Sequence, residues 1–373
     1  MIRRALLAAA ALVLPLLAMT PAAAAGSRLC IVDDPRLPEV SGIAARAGGR
    51  RFVYVQNDSG DAARFFAVDT RTGHTAAVYT VPGARNIDWE DLAVGPDATG
   101  RSSVWLADIG DNQSTRSEVD VYRVPEPRRP TYRGPSATAP EVATARPEVW
   151  RLRYPDGPHD AESIAVDPTT HHVYIATKSL SGVSEVFELP ARPDPARPEL
   201  LAKVGTVTFD AHSQAGPFGG YGELMATGAA ISADGGRFVL RTYADAYVWP
   251  LRRGDLQTAL RRPPVRIRLP NQSQGEGVDV VGGALWLSSE GRDQPILSVA
   301  LPRAVRLAPT TAPSSSSSPS SGPAPGHGSS GSGIGWGLIA IFAAALLAFV
   351  LGSRLRRRGR RKDEGGDDLS WTG

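Results

Sequence analysis

The chain has 373 residues, with 41 Lys and Arg against 38 Asp and Glu, and a single cysteine. One cysteine excludes an intramolecular disulfide, and a folded region of about 280 residues buries an ample core without one. Setting aside Arg3, Arg4, the seven basic residues from Arg354 to Lys362 and the acids Asp363, Glu364, Asp367 and Asp368 leaves 32 basic against 34 acidic residues, so the alkaline balance belongs to the chain ends and does not mark a nucleic-acid binder, which needs a basic patch on the domain itself.

The first segment, 1–25, reads as a secretory signal. Arg3 and Arg4 precede an apolar run from Ala5 to Ala18, and Pro21-Ala-Ala-Ala-Ala offers small residues for cleavage. Residues 27–307 follow as the folded region. Leu29-Cys-Ile-Val stands alone as a short strand, with the Cys30 thiol expected to pack inside it.

A phrase then recurs five times: Ser41-Gly-Ile-Ala, Glu90-Asp-Leu-Ala, Glu162-Ser-Ile-Ala, Thr227-Gly-Ala-Ala and Glu276-Gly-Val-Asp. Each copy is followed, eight to thirteen residues on, by a β-rich run: Arg51-Phe-Val-Tyr-Val, Ser103-Val-Trp-Leu-Ala, His172-Val-Tyr-Ile-Ala, Arg237-Phe-Val-Leu-Arg and Ala284-Leu-Trp-Leu-Ser. Self-similarity at such a period is the mark of a repeat architecture. Four strands fit the first unit: Ser41 to Ala44, Phe52 to Gln56, Arg64 to Val68 and Thr75 to Val81. Four-stranded antiparallel units set around an axis are propeller blades. The expected fold is therefore all-β: a β-propeller of five blades, with six if a degenerate blade hides in a long step. The steps between copies are 49, 72, 65 and 49 residues. Loops at Pro125 to Pro147 and at Ala211 to Tyr221 account for the longer two. The last unit lacks a fourth strand, which the N-terminal strand supplies to close the ring. Tyr54, Trp105, Tyr174 and Trp286 recur in register, as packing between blades requires.

Past the repeats, 308–333 is Ser, Pro and Gly with little to bury, and reads as a disordered stalk. Residues 334–352 carry no charge and are long enough to cross a bilayer as a helix. The basic segment 353–373 follows directly, and basic flanks stay in the cytoplasm. The chain is thus expected to be a single-pass membrane protein with the propeller outside the cell.

Hairpin geometry puts the start of each blade's first strand and the end of its second on one face. The starts carry Asp88, Glu90, Asp91, Asp160, Glu162 and Glu276. The ends carry Asn57-Asp-Ser-Gly, Asp108-Ile-Gly-Asp-Asn, Thr177-Lys-Ser, Arg241-Thr-Tyr and Ser289-Glu-Gly-Arg. A polar cluster is expected at that mouth of the axial channel. Three readings compete. Asp, Asn, Ser and Gly are the residues of tight turns. Asn57, Asp58, Glu90, Asp91, Asp108, Asp111, Glu162, Glu276 and Glu290 offer the oxygen ligands of a Ca²⁺ site. Glu90, Glu162 and Glu276, with His159 as base and Lys178, Arg241 or Arg292 holding negative charge, would suit hydrolysis of a phosphate or ester.

Asn86-Ile-Asp-Trp-Glu-Asp-Leu-Ala, Trp105-Leu-Ala-Asp-Ile-Gly-Asp-Asn and Tyr154-Pro-Asp-Gly-Pro-His-Asp-Ala-Glu-Ser together resemble secreted actinobacterial β-propeller proteins of uncharacterised function. That resemblance spans most of Arg28 to Leu307; more loosely, in architecture, the whole ectodomain is similar to phytase-like and lactonase-like propellers. The looser resemblance implies Ca²⁺ at the channel mouth. The expected function is a binding or scaffold module at the cell envelope, whose ligand is an extracellular protein, a glycan or a small molecule. The alternative is a metal-dependent hydrolase of phosphate or lactone esters.

Overall fold

A computed structural model of the chain describes residues 23–213 and 218–306. Strand β1 (Gly26–Ile31) comes first. Then follow β2 (Val40–Ala45), β3 (Phe52–Asn57), β4 (Arg64–Asp69) and β5 (Thr75–Thr80), and next β6 (Trp89–Pro96), β7 (Ser102–Asp108), β8 (Val119–Pro125), β9 (Glu141–Ala143) and β10 (Glu148–Arg153). The third group is β11 (Ala161–Val166), β12 (Val173–Thr177), β13 (Val183–Glu188), β14 (Glu199–Leu200) and β15 (Ala202–Thr208). The last two are β16 (Ala226–Ile231), β17 (Arg237–Thr242), β18 (Asp245–Pro250), β19 (Val265–Arg268), and β20 (Gly275–Val281), β21 (Ala284–Ser289), β22 (Pro295–Ala300).

These strands form five separate sheets, and each inner strand (β2, β6, β11, β16, β20) packs against the next around a closed ring. The fold is a five-bladed propeller. β1 pairs antiparallel with β22 and supplies the missing outer strand of blade 5, with Cys30 opposite Ile296. The thiol is buried, and burial followed by the nearby Asp69 carboxylate pushes it up to about 11. It stays protonated and unreactive at neutral pH.

The sequence of the inner and second strands follows from their place. A blade is covered on both faces, so β3, β11, β16 and β17 are buried at every position rather than at alternate ones. The core is accordingly five slabs between neighbouring blades. Tyr54, Trp105, Tyr174 and Trp286 sit in four of them. In the fifth slab Val239 stands at the equivalent register, opposite Ala230 as Trp105 is opposite Ala93.

The hairpins on the lower face, away from the predicted polar mouth, use one device repeatedly. Asp97, Asp167 and Asp234 each accept from the backbone N–H two residues on, at 2.7 to 3.0 Å. These carboxylates do the turn work that Asp is suited to.

One long step is more than a loop. Within Pro125 to Pro147, β9 adds to β5 in parallel as a fifth strand of blade 1. A 3₁₀ turn at Ser136–Thr138 locks it down: Ser136 Oγ accepts from Thr75 N at 2.9 Å and donates to Asp33, while Arg36 donates to Ser136 O at 2.7 Å. β14 likewise extends blade 2 beside β10. Of the other long loop, Gly219–Glu223 is a 3₁₀ turn, and 214–217 lie outside the described residues. So do the signal segment up to residue 22, the stalk, the apolar span 334–352 and the basic tail. Among the described residues no helix is long and apolar enough to cross a membrane.

Candidate functional site at the axial mouth

Every inner strand carries a register shift near its start: between Val40 and Ile43, Trp89 and Asp91, Ala161 and Ser163, Ala226 and Gly228, and Gly275 and Val278. The leading residue of the repeated phrase is displaced from the ladder in all five blades (Ser41, Glu90, Glu162, Thr227 and Glu276), joined in blades 1 and 5 by the glycine after it, Gly42 and Gly277. A bulge frees a residue from strand pairing and re-aims its side chain. The repeat is therefore a bulge signature as much as a strand signature.

What the bulged residue does depends on its chemistry. Ser41 Oγ donates to the Glu90 carbonyl, and Thr227 Oγ1 to the Glu276 carbonyl at 3.0 Å. Ser288 Oγ donates to Ser41 O at 3.1 Å. The hydroxyl copies thus clasp one blade to the next. The three glutamates instead point carboxylates into the mouth, where they are only 4 %, 3 % and 2 % exposed.

The next position inward explains the glycines. Asp91 lies on the axis and accepts from Leu92 N at 2.8 Å, Ile164 N at 3.0 Å and Ala229 N at 3.4 Å, reaching blades 3 and 4 from blade 2. Its counterparts are Gly42, Ser163, Gly228 and Gly277. A Cβ at Gly42 would stand 2.7 Å from Asp91 Oδ1, and one at Gly277 would stand 2.6 Å from Ser41 O. One carboxylate fits across the axis only because its neighbours are small.

Above Asp91 the mouth is acidic. The residue after each second strand lines it: Asp58, Lys178, Tyr243 and Glu290 in blades 1, 3, 4 and 5. Asp88 and Asp160, just before β6 and β11, complete the rim. Ligand oxygens of Asp58, Asp88 and Glu90 all lie within 4.8 Å of one another. Gly110 makes that possible, since a Cβ there would collide with Glu90 Oε1 and stand 2.6 Å from Asp88 Oδ2. Asp108 positions the Asp88 backbone by accepting from its N–H at 3.1 Å and from Ile87 N at 3.3 Å.

Electrostatics follow from burial and crowding. Burial, then the Asp58 and Asp160 charges, push the Asp88 carboxyl up to about 7. Glu90 is raised well above the carboxylate range by burial, then by Glu162, Asp58 and Asp88. Glu276 is raised in the same way, and its Oε2 is buried without a hydrogen-bond partner. Glu290 is pushed up to about 8 by burial, then by Asp58, Glu39 and Glu162.

The nearby cations are engaged. Lys178 Nζ is paired with Glu162 and lies 5.5 Å from the Tyr243 ring centroid. Burial disfavours its charge, but Glu162, Tyr243, Asp160 and Glu276 hold its pKa well above the usual lysine value. Arg241 is fully buried and donates to Gly277 O (2.6 Å), Ser288 O (2.9 Å) and Gln272 Oε1 (2.6 Å), bracing blade 4 on blade 5. Arg116 is held by Asp108 at 3.0 Å and by the Gly110 carbonyl at 2.8 Å.

The sequence-derived candidates therefore divide. Asp58, Glu90, Glu162, Glu276 and Glu290 belong to the mouth. Asn57 instead ties Arg36 O, Asp61 and Glu39 N together. Asp91 is the axial plug, Asp108 anchors a loop, and Asp111 closes its turn by accepting from Arg116 N at 2.6 Å. His159 sits outside the glutamate cluster, hydrogen-bonded to Asp156 at 2.9 Å. Arg292 is exposed on the surface. Tyr243 was missed. Its signal was positional, because it follows β17 just as Lys178 follows β12.

No protein-family model matches the sequence, and no curated protein matches it. Solved structures similar to it include a glucose dehydrogenase, at TM-score 0.41 and 12 % identity over 74 % of this chain and 99 % of that one. The β-propeller domain of Myceliophteria thermophila Cps50 (Swd1) aligns at TM-score 0.35 and 8 % identity, over 70 % and 83 %. A chain of a nidogen/laminin complex aligns at 0.35 and 12 %, over 67 % and 72 %. Likeness at this level concerns the fold and carries nothing about the site.

Proposed function

We propose that the propeller is a binding module displayed outside the cell on a membrane tether, and that its axial mouth takes Ca²⁺. The observation that carries the cation is the cluster of Asp58, Asp88 and Glu90, packed within 4.8 Å against Gly110. Crowded carboxylates, two partly buried and Glu90 buried, must share protons or take a cation. Ca²⁺ suits a site made only of oxygens, six to eight in number. Asp58, Asp88 and Glu90 would hold it, with Glu162, Glu276 and Glu290 around them. A coordination shell left open to solvent is where an extracellular protein, glycan or small molecule would complete the site. Export and anchoring rest on the signal-like segment 1–25, the apolar stretch 334–352 and the basic residues after it.

The hydrolase alternative has less behind it. Transition-state charge needs a donor aimed at the reacting atom. Lys178 is committed to Glu162, and Arg241 is sealed against backbone carbonyls.

Titration of the purified, chelator-stripped full chain with Ca²⁺ tests this reading. Binding should release or absorb heat and raise the melting temperature, by roughly 5 °C at a hundredfold excess over Kd. Asp88→Asn should weaken it at least tenfold. No heat and no thermal shift would remove the cation from the proposal.

A further inference from the structure

We propose a second metal site, for Zn²⁺ or a similar transition ion, on the same face of blade 3 but outside the glutamate cluster. Its ligands are His159 Nε2, Asp156 and Glu185. Asp156 and His159 lie in the β10–β11 connection, and Glu185 is on β13. One ligand atom from each falls within 4.8 Å of the other two. His159 Nε2 is 2.9 Å from Asp156 Oδ1 and 3.9 Å from Glu185 Oε2. Tetrahedral zinc with bonds near 2.05 Å separates its ligand atoms by about 3.3 Å, which these two distances bracket.

Two further observations separate this group from an ordinary ion pair. Glu185 Oε2 is buried, has no hydrogen-bond partner and faces the imidazole. The other oxygen, Oε1, takes Lys203, so the pair leaves one carboxylate oxygen for a metal. The imidazole is also fixed in plane. It packs edge-on to Tyr154 with centroids 4.9 Å apart and leans on Phe187 at 5.9 Å. An oriented imidazole with two carboxylates is a zinc ligand set with a fourth position left to water. An imidazole nitrogen is also what distinguishes the site from the all-oxygen mouth, and it selects for transition ions over Ca²⁺. Because Asp160 follows His159 directly and accepts from Asp111 N at 2.8 Å, a metal here would stiffen the rim of the mouth.

The test uses the purified full chain stripped of metal, with Zn²⁺ and Co²⁺ as probes. One equivalent of Co²⁺ should bind and give visible d–d bands. Zn²⁺ should abolish them, and a millimolar Ca²⁺ addition should leave them. His159→Gln should weaken binding at least tenfold, and Asp156→Asn, which still accepts a hydrogen bond from the ring, should do the same with little change in the metal-free melting temperature. Asp88→Asn, which alters only the mouth, should leave the cobalt bands intact. The proposal falls if His159→Gln binds Co²⁺ as the parent does, if the bands vanish in Asp88→Asn, or if no stoichiometric binding is seen.

Discussion

The Asp91 carboxylate ties three blades together at the axis. Its carboxyl sits on the axis, and burial pushes it well above the carboxylate range against the pull of the Ile164, Leu92 and Ala229 N–H groups. Removing it leaves buried donors without partners, at about 1–3 kcal/mol each. Asp91→Ala should therefore destabilise by roughly 3 kcal/mol, read by denaturant melts. A loss below about 1 kcal/mol would mean that water replaces the carboxylate, and the plug would be a filler rather than a clasp. Gly110 makes the complementary case at the mouth. Gly110→Ala should leave the fold intact but push Asp88 and Glu90 apart, so the thermal shift on adding Ca²⁺ should shrink while the metal-free melting temperature changes little. An unchanged Ca²⁺ response would show that the glycine serves its turn and not the carboxylates.

At the level of elements, the legible part of the sequence was what the repeat repeats. Inner strands, their partners and the closing role of β1 follow from the five phrases and from the missing fourth strand. β9 and β14 were not legible, because three and two residues paired in parallel at a sheet edge leave no alternation. The site was half legible for a related reason. Leading glutamates stand out because a fivefold frame makes Glu against Ser or Thr visible. No local pattern says that Asp108 holds backbone while Asp88 faces the mouth, since both are acids beside a turn. Glu185 was invisible as a partner of His159, lying on a strand 26 residues further along the chain. The β9 strap makes its own prediction. Ser136→Ala strips Thr75 N of its acceptor and Asp33 of its donor, so the segment from Arg128 to Arg146 should become sensitive to trypsin under native conditions. Protection equal to that of the parent would show that β9 and Arg36 suffice to hold it.

For the whole molecule, the acidic mouth turns stability into a function of pH. Burial and neighbouring carboxylates push Asp88 up to about 7 and Glu290 up to about 8, while burial raises Asp279, on the lower side of the channel, to about 6 against the pull of the Ala45 and Val280 N–H groups. In the unfolded chain such groups titrate near 4. Between these values the folded protein holds more protons than the unfolded one, so stability falls as pH rises from about 5 to about 8. Glu223 works the other way. Burial opposes its charge, but Ser213, the His212 N–H and Arg268 hold it down to about 2, so its contribution is lost as pH drops below about 4. A metal-free melting curve against pH should therefore peak near pH 5 and decline toward pH 8. Ca²⁺ binds the ionised carboxylates, so it competes with the protons that the crowded mouth otherwise retains. Its thermal shift should be larger at pH 8 than at pH 5, and the decline should flatten when the cation is saturating. A metal-free profile that rises across this window would overturn the view that the mouth is strained by its own charge. A Ca²⁺ shift independent of pH would place the cation away from Asp88 and Glu90.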